Sequence, residues 1–323
     1  MKITERDIKT WASIGSRATF GIAALELAKK NKDLIVLTSD VSTSAGLDRF
    51  RKTLPDQYVD VGIAEQNLIG IAAGLASENF KVITTTFSPF QVLRCCEQIK
   101  MNLGYMHQKV CMVGLASGLS LGSLGYSHCS IEDVGILRSI PNIDIICPAD
   151  GLEIIKVLDA ILLSKNSCYI RLTGVSNNHI INTKDYNFEI GRSINLKNGD
   201  DIVIFCNGAI INECLEASKL FEKKNLSCRV VNMHTIKPID NDAIKNSLSS
   251  KLVISVEEHN VIGGLGSAIS EALSKHSKSP PQLFFGINDT YSKAGDYEFL
   301  KKKYGLNSES IVAKALYLLK NYE

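Results

Sequence analysis

VDVGIAEQNLIGIAAGLA, residues 59–76, joins a strand, an acid and a helix of small residues in one short run. Tyr58 to Val61 reads as a buried strand, and from about Ala64 the apolar spacing becomes helical. Glu65 therefore stands where a strand ends and a helix begins. Downstream, Gly70, Ala73 and Gly74 are spaced by three and four, which lets that helix press closely against another backbone. That spacing predicts a crowded packing surface around the carboxylate. A lone glutamate here also reads simply as a complement to the positive helix N-terminus, and spacing alone does not choose between the two.

Outward from this run the alternation continues. Gly21 to Lys30 has helical composition, and Leu34 to Leu37 is an apolar run broken by Thr38, Ser39 and Asp40. Lys81 to Thr84, a helix near Gln91 to Met101, and a strand from Gln108 to Val113 follow. Strands alternating with helices predict an α/β fold whose mainly parallel sheet is covered by helices on both faces. Ligands in such sheets sit beyond the carboxyl ends of the strands, where these polar residues gather.

Thr173 to Asn187 is polar, with Asn177, Asn178 and Asn182, and separates two stretches of this kind. A division at residue 187 gives a first domain over 1–187 and a second over 188–323. Within the second, Asp201 to Cys206, Ser227 to Asn232 and Leu252 to Val256 read as strands between helices, a smaller α/β domain.

Composition narrows the function classes. The chain has 323 residues, 45% of them apolar, enough for two sizeable cores. Its 36 basic and 34 acidic residues nearly cancel, so no overall field favours nucleic acid or an anionic membrane. Nine cysteines without a CxxC pair suggest reduced core thiols and a cytoplasmic location. The polar start MKITERDIKTWAS does not read as a secretory signal. No apolar stretch reaches the roughly 18 residues of a membrane span.

GIAEQN at 62–67, TTTFSPF at 84–90, GYSHCSIEDVGILRSIPNIDIICPAD at 125–150 and EEHNVIGGLGSAISE at 257–271 occur in this order. Together they resemble the pyrimidine-binding and C-terminal domains of transketolase, and the likeness covers almost the whole chain. It implies that Glu65 hydrogen-bonds N1′ of the pyrimidine of thiamine diphosphate and favours the imino tautomer, whose nitrogen removes the thiazolium C2 proton. It implies that Phe87 and Phe90 pack on the aminopyrimidine ring, although two phenylalanines three apart read on their own as core. Asp40, in TSDVSTS, resembles an aspartate near the cofactor and the subunit contact; taken alone it reads as a turn cap.

His128 matches a histidine that contacts a donor-sugar oxygen and assists proton movement. Arg17 and Ser44, placed 23 residues before and 4 after Asp40, resemble two substrate-phosphate ligands.

The departures from the family are specific. Leu124 in GSLGYSH replaces an aspartate, Ala116 falls where a histidine is expected, and Gly174 falls where a phosphate-binding arginine is expected. Arg171, in YIRLTG, is three residues from that place, so the role is not transferred to it. These losses imply a modified sugar substrate. The glycines of GGLG at 263–266 lack the full GxGxxG spacing and read as tight packing. Glu257, Glu258 and His259 are consecutive, so their side chains point apart and make no metal site.

The resemblance also implies Mg²⁺ and a diphosphate grip, which the family builds from a GDG segment. Gly199-Asp200-Asp201 and Gly295-Asp296-Tyr297 lack its second glycine. The chain thus resembles the beta-like subunit of a split transketolase, expected to self-associate and to join an alpha-like partner carrying the metal site in an α₂β₂ assembly. The implied activity is transfer of a two-carbon ketol unit from a ketose to an aldose. Alternatives on the same architecture are a 1-deoxyxylulose-5-phosphate synthase-like or 2-oxoacid dehydrogenase beta-like subunit, or a noncatalytic scaffolding subunit.

Overall fold

A computed structural model describes residues 3–291 and 293–322. Twelve strands form two sheets among the described residues. The first contains β1 (Leu34–Thr38), β2 (Tyr58–Asp60), β3 (Lys81–Phe87), β4 (Val110–Leu115), β5 (Ile143–Ile146) and β6 (Ser167–Arg171). The second contains β7 (Ile194–Lys197), β8 (Ile202–Cys206), β9 (Cys228–Asn232), β11 (Leu252–Asn260) and β12 (Gln282–Ile287). β10 (Thr235–Lys237) belongs by sequence to the second half, yet it pairs antiparallel with β5 at the edge of the first sheet.

The orders are β10-β5-β6-β4-β3-β1-β2 and β12-β11-β8-β9-β7, parallel except at β10 and at β7, which runs antiparallel to β9. Both sheets are thus mainly parallel and covered by helices, as the alternation predicts. β1, β4, β6 and β8 are buried along their whole length, which explains the apolar runs of β1, β4 and β8.

Helices Glu5–Lys30 and Gly151–Ile161 cover one face of the first sheet, where Phe20, Leu34, Val36, Ile83 and Ile154 pack. The helix read at Gly21 to Lys30 is therefore much longer. It starts on a capping box between Thr4 and Asp7 and kinks at Gly15, φ +81°, where an added Cβ would stand 3.0 Å from Ser176 Cα. The core on the opposite face is shared with the second sheet: Leu68, Val82 and Val110 join Phe205, Met233 and Ile269 in one cluster. Helices Ile211–Glu222 and Ser308–Tyr322 close the far face of the second sheet.

Two local expectations are corrected. The helix placed at Gln91 to Met101 is three short pieces, Ser88–Val92, Cys96–Gln98 and a π-turn at Ile99–Tyr105. The helix Glu65–Ser77 does bury Leu68, Ile69, Ala72 and Ala73, but Cβ atoms built at Gly70 and Gly74 meet nothing within 4 Å. Among the described residues, no backbone of this chain presses on those two glycines.

Candidate active site

The carboxyl ends of β1, β2, β3 and β4 lie side by side, and the residues singled out by sequence are carried there. Glu65 opens its helix after β2 and is 4% exposed. The turn before it is tied to β1: Ser39 Oγ donates to Gly62 O at 2.7 Å and accepts from Ala64 N–H at 3.2 Å. Asp60 Oδ1 accepts from the amides of Asp40 (2.9 Å) and Gly62 (3.0 Å). Asp40 itself is exposed and left-handed, φ +53°.

β3 delivers Phe87 and, one short turn later, Phe90. Both rings are half-buried and meet edge-on, with centroids 6.3 Å apart. His128, from the loop after β4, completes the cluster at 6.0 Å from Phe87 and 5.4 Å from Phe90. Its Nδ1 is 3.0 Å from Ser127 Oγ.

Arg94, which sequence reasoning missed, links the acid to this wall. Its Nη1 donates to Glu65 Oε1 at 2.7 Å, and its guanidinium lies 4.4 Å from the centre of the Phe90 ring. Nearby, burial and then the Glu65 charge push the Cys95 thiol up to about 12.

Arg17 and Ser44 lie at one edge. Helix Glu5–Lys30 runs against the loop after β1, so that a Cβ at Gly46 would stand 3.0 Å from Arg17 O. Among the described residues, neither side chain shares a hydrogen bond, ion pair or ring contact with Glu65, Phe87, Phe90 or His128.

Behind the wall, a buried network ties the site to the second sheet. Ser88 Oγ, next to Phe87, accepts from Tyr169 Oη at 3.0 Å and contacts Ser117 Oγ. Tyr169 Oη is also 2.7 Å from Asp133 Oδ2, which pairs with Arg171 Nε at 2.8 Å. Arg171 Nη2 donates to Ser130 O and to Glu258 O, both at 2.8 Å. With 1% exposure, Arg171 is a structural tie and cannot reach a substrate phosphate. Burial pushes the Asp133 carboxyl up, but the Arg171 guanidinium beside it acts the other way, and the net shift is downward.

Glu257, Glu258 and His259 likewise tie the two sheets and helix ends together. Glu258 accepts from Leu119 N–H (3.2 Å) and Tyr297 Oη (2.6 Å), and His259 Nε2 accepts from Gly135 N–H at 3.3 Å. Glu257 caps the helix Leu265–Leu273, accepting from the amides of Leu265 (2.7 Å) and Gly266 (2.8 Å). A Cβ at Gly264 would stand 2.2 Å from Glu257 Oε2, so a larger residue there would displace the carboxylate that caps the helix, which is the tight packing expected of GGLG. The sequence signal for these ties was present in EDVG and EEHN, but nothing local names their partners.

The family's departures also have a physical form. Leu124 is 56% exposed, whereas Ala116 is buried with φ +51°. At Gly174, φ +80°, a Cβ would lie 2.7 Å from Asn178 Oδ1 and 2.8 Å from Ala209 Cβ, so no larger residue fits.

Residues 12–175 match the transketolase pyrimidine binding domain, and residues 191–311 match the transketolase C-terminal domain. The chain belongs to the transketolase family. This transketolase-family chain is 36% identical over 303 residues to a putative transketolase C-terminal section from Methanocaldococcus jannaschii, covering 94% of this chain and 95% of that one. It is 33% identical to one of the subunits of apulose-4-phosphate transketolase from Phocaeicola vulgatus, covering 95% and 98%. Among solved structures, a split gene transketolase described as an inactive beta4 tetramer superposes with a TM-score of 0.86 at 34% identity, covering 95% and 99%. The chain therefore corresponds to the C-terminal, beta-like subunit of a split transketolase.

Proposed function

We propose that this chain is the pyrimidine-binding subunit of a thiamine-diphosphate-dependent transketolase that moves a two-carbon ketol unit from a ketose to an aldose. The carrying observation is the buried Glu65 carboxylate joined through Arg94 to Phe90, whose ring meets the half-buried rings of Phe87 and His128. An acid acceptor next to aromatic surface fits an aminopyrimidine, a flat ring whose faces stack on aromatic side chains and whose ring nitrogen can carry an N–H to the acid. When bound, thiamine diphosphate supplies the carbanion chemistry that side chains lack.

Glu65 holds the ring nitrogen and controls its proton, Phe87 and Phe90 orient the ring and exclude water, and His128 faces a sugar oxygen. Asp40 stands near the cofactor at the subunit contact. Arg17 and Ser44 hold the far end of the substrate.

Among the described residues no group of three or more His, Cys, Asp or Glu side chains is placed to hold a metal ion. The Mg²⁺ and diphosphate ligands are assigned to an alpha-like partner chain in an α₂β₂ assembly, a reading supported by the missing second glycine in Gly199-Asp200-Asp201 and Gly295-Asp296-Tyr297. The outward-facing Gly70 and Gly74 support self-association, since two glycines inside a helix are explained by another backbone lying on them. Nine free cysteines, most of them buried, support a cytoplasmic location. The division between domains is placed at residue 187, in the strandless stretch between β6 and β7.

The substrate is proposed to be a modified sugar. Leu124, Ala116, the closed space at Gly174 and the sequestered Arg171 support this, as does the substrate named for the Phocaeicola vulgatus relative. In a complex reconstituted with the partner chain, a ketose phosphate such as xylulose 5-phosphate or apulose 4-phosphate is expected to be consumed and pyruvate left. Glu65→Gln is expected to lower turnover about a hundredfold or more while leaving the melting curve intact. Normal turnover of that variant, or consumption of pyruvate alone, overturns the assignment.

A further inference from the structure

The proposed ring site has an occupant of its own. The Arg94 guanidinium is planar and delocalised, donates an N–H to Glu65 at 2.7 Å, and lies 4.4 Å from the centre of Phe90. A flat heterocycle entering between Glu65 and Phe90 needs the same carboxylate and competes for the same ring. The pair is asymmetric: the Glu65 side chain is 5% exposed and the Arg94 side chain 45%. Glu65 is fixed by its turn, whereas Arg94 has solvent to swing into. The Arg94 backbone stays anchored, since its carbonyl accepts from Gln66 Nε2 at 3.1 Å.

We propose that Arg94 is a positioning residue acting through Glu65: it holds the carboxylate aimed at the ring position, and yields both that oxygen and the Phe90 ring to the aminopyrimidine. This rests on the assignment of Glu65 above. A buried carboxylate without a counter-charge is costly, so the chain awaiting its cofactor needs such a partner. The same contact raises the threshold for ring binding, because entry of the ring must displace it.

The test is a ligand-observed NMR titration of thiamine diphosphate with Mg²⁺ against this chain reconstituted with its alpha-like partner, each variant first checked by thermal melt. Arg94→Ala is expected to bind about tenfold tighter than the unaltered chain, the size set by one half-exposed ion pair together with one cation–π contact. Arg94→Lys, which keeps the charge and loses the plane, is expected to fall between them. A merely structural role would weaken binding or leave it unchanged. Equal or weaker binding by Arg94→Ala, including no detectable binding by either protein, overturns the proposal.

Adding Glu65→Gln to Arg94→Ala separates the two claims. If the double variant binds as tightly as Arg94→Ala, Glu65 is not the ring's ligand and the underlying assignment fails. If it binds more weakly but Arg94→Ala shows no gain over the unaltered chain, only the role of Arg94 fails.

Discussion

Buried acids in this protein are held in different ways, and each arrangement makes a different demand. Asp133 and Arg171 are both almost fully enclosed, and Asp133 also serves Tyr169. Asp133→Asn leaves the Arg171 charge without its counter-ion, so a loss of about 3–5 kcal/mol is expected, read as a large fall in Tm. A Tm within a degree or two of the unaltered protein would contradict that.

Glu153 is a carboxyl with no cation among its hydrogen-bond partners. It accepts from Ala149 N–H, Tyr186 Oη and Asn232 Nδ2, while burial and then the charge of Asp150 push it from an ordinary 4.5 up to about 7. A raised folded pKa means that the native state holds a proton the unfolded chain has released. The contribution is therefore fully present below about pH 4.5 and is lost as pH rises through about 7. Unfolding free energy measured from pH 5 to pH 8 is expected to fall more steeply for the unaltered protein than for Glu153→Gln, and equal slopes would refute the assignment.

At the scale of elements, the strand ends do the positioning. β1 to β4 are adjacent and end together, so four chain segments far apart in sequence deliver Asp40, Glu65, Phe87, Phe90 and His128 to one mouth. Helix Glu65–Ser77 is half committed: Leu68, Ile69 and Ala72 bury its inner face, and Gly70 and Gly74 are left outward. Within the single chain nothing meets a Cβ there, so Gly74→Ala is expected to stabilise the dissociated chain, as distinct from the assembly, by about 1 kcal/mol against urea. Gly74→Leu is expected to shift the mass measured by light scattering towards smaller species. Unchanged mass for the leucine variant would show that this face is not an assembly surface.

Legibility in the sequence followed the same physics. β1, β4 and β8 were readable because complete burial makes an unbroken apolar run. β5, whose run IDII includes Asp144, and β6, which ends in the buried Arg171, were hidden by those charges. β10 was too short to carry a period. Glu65, Phe87, Phe90 and His128 were legible through their motifs. Arg94 was not, because its segment reads as an ordinary helix and its partner lies 29 residues away. The ties of Arg171 span separations of 38, 41 and 87 residues, which no local pattern encodes.

At the scale of the molecule, the two sheets behave as one body. They share a core, β10 closes the edge of the first sheet, and the Arg171 and Glu258 bonds connect the wall behind Phe87 to β11. The second half thus contributes to the site by holding the first half's loops in place. In the proposed function the Glu65 carboxylate governs the protonation of a bound aminopyrimidine. Hydrogen–deuterium exchange at C2 of thiamine diphosphate, followed by NMR in the complex with the partner chain, reads that control. Exchange about a hundredfold slower in Glu65→Gln than in the unaltered complex is the expected result, and equal exchange rates with the cofactor bound in both would contradict it.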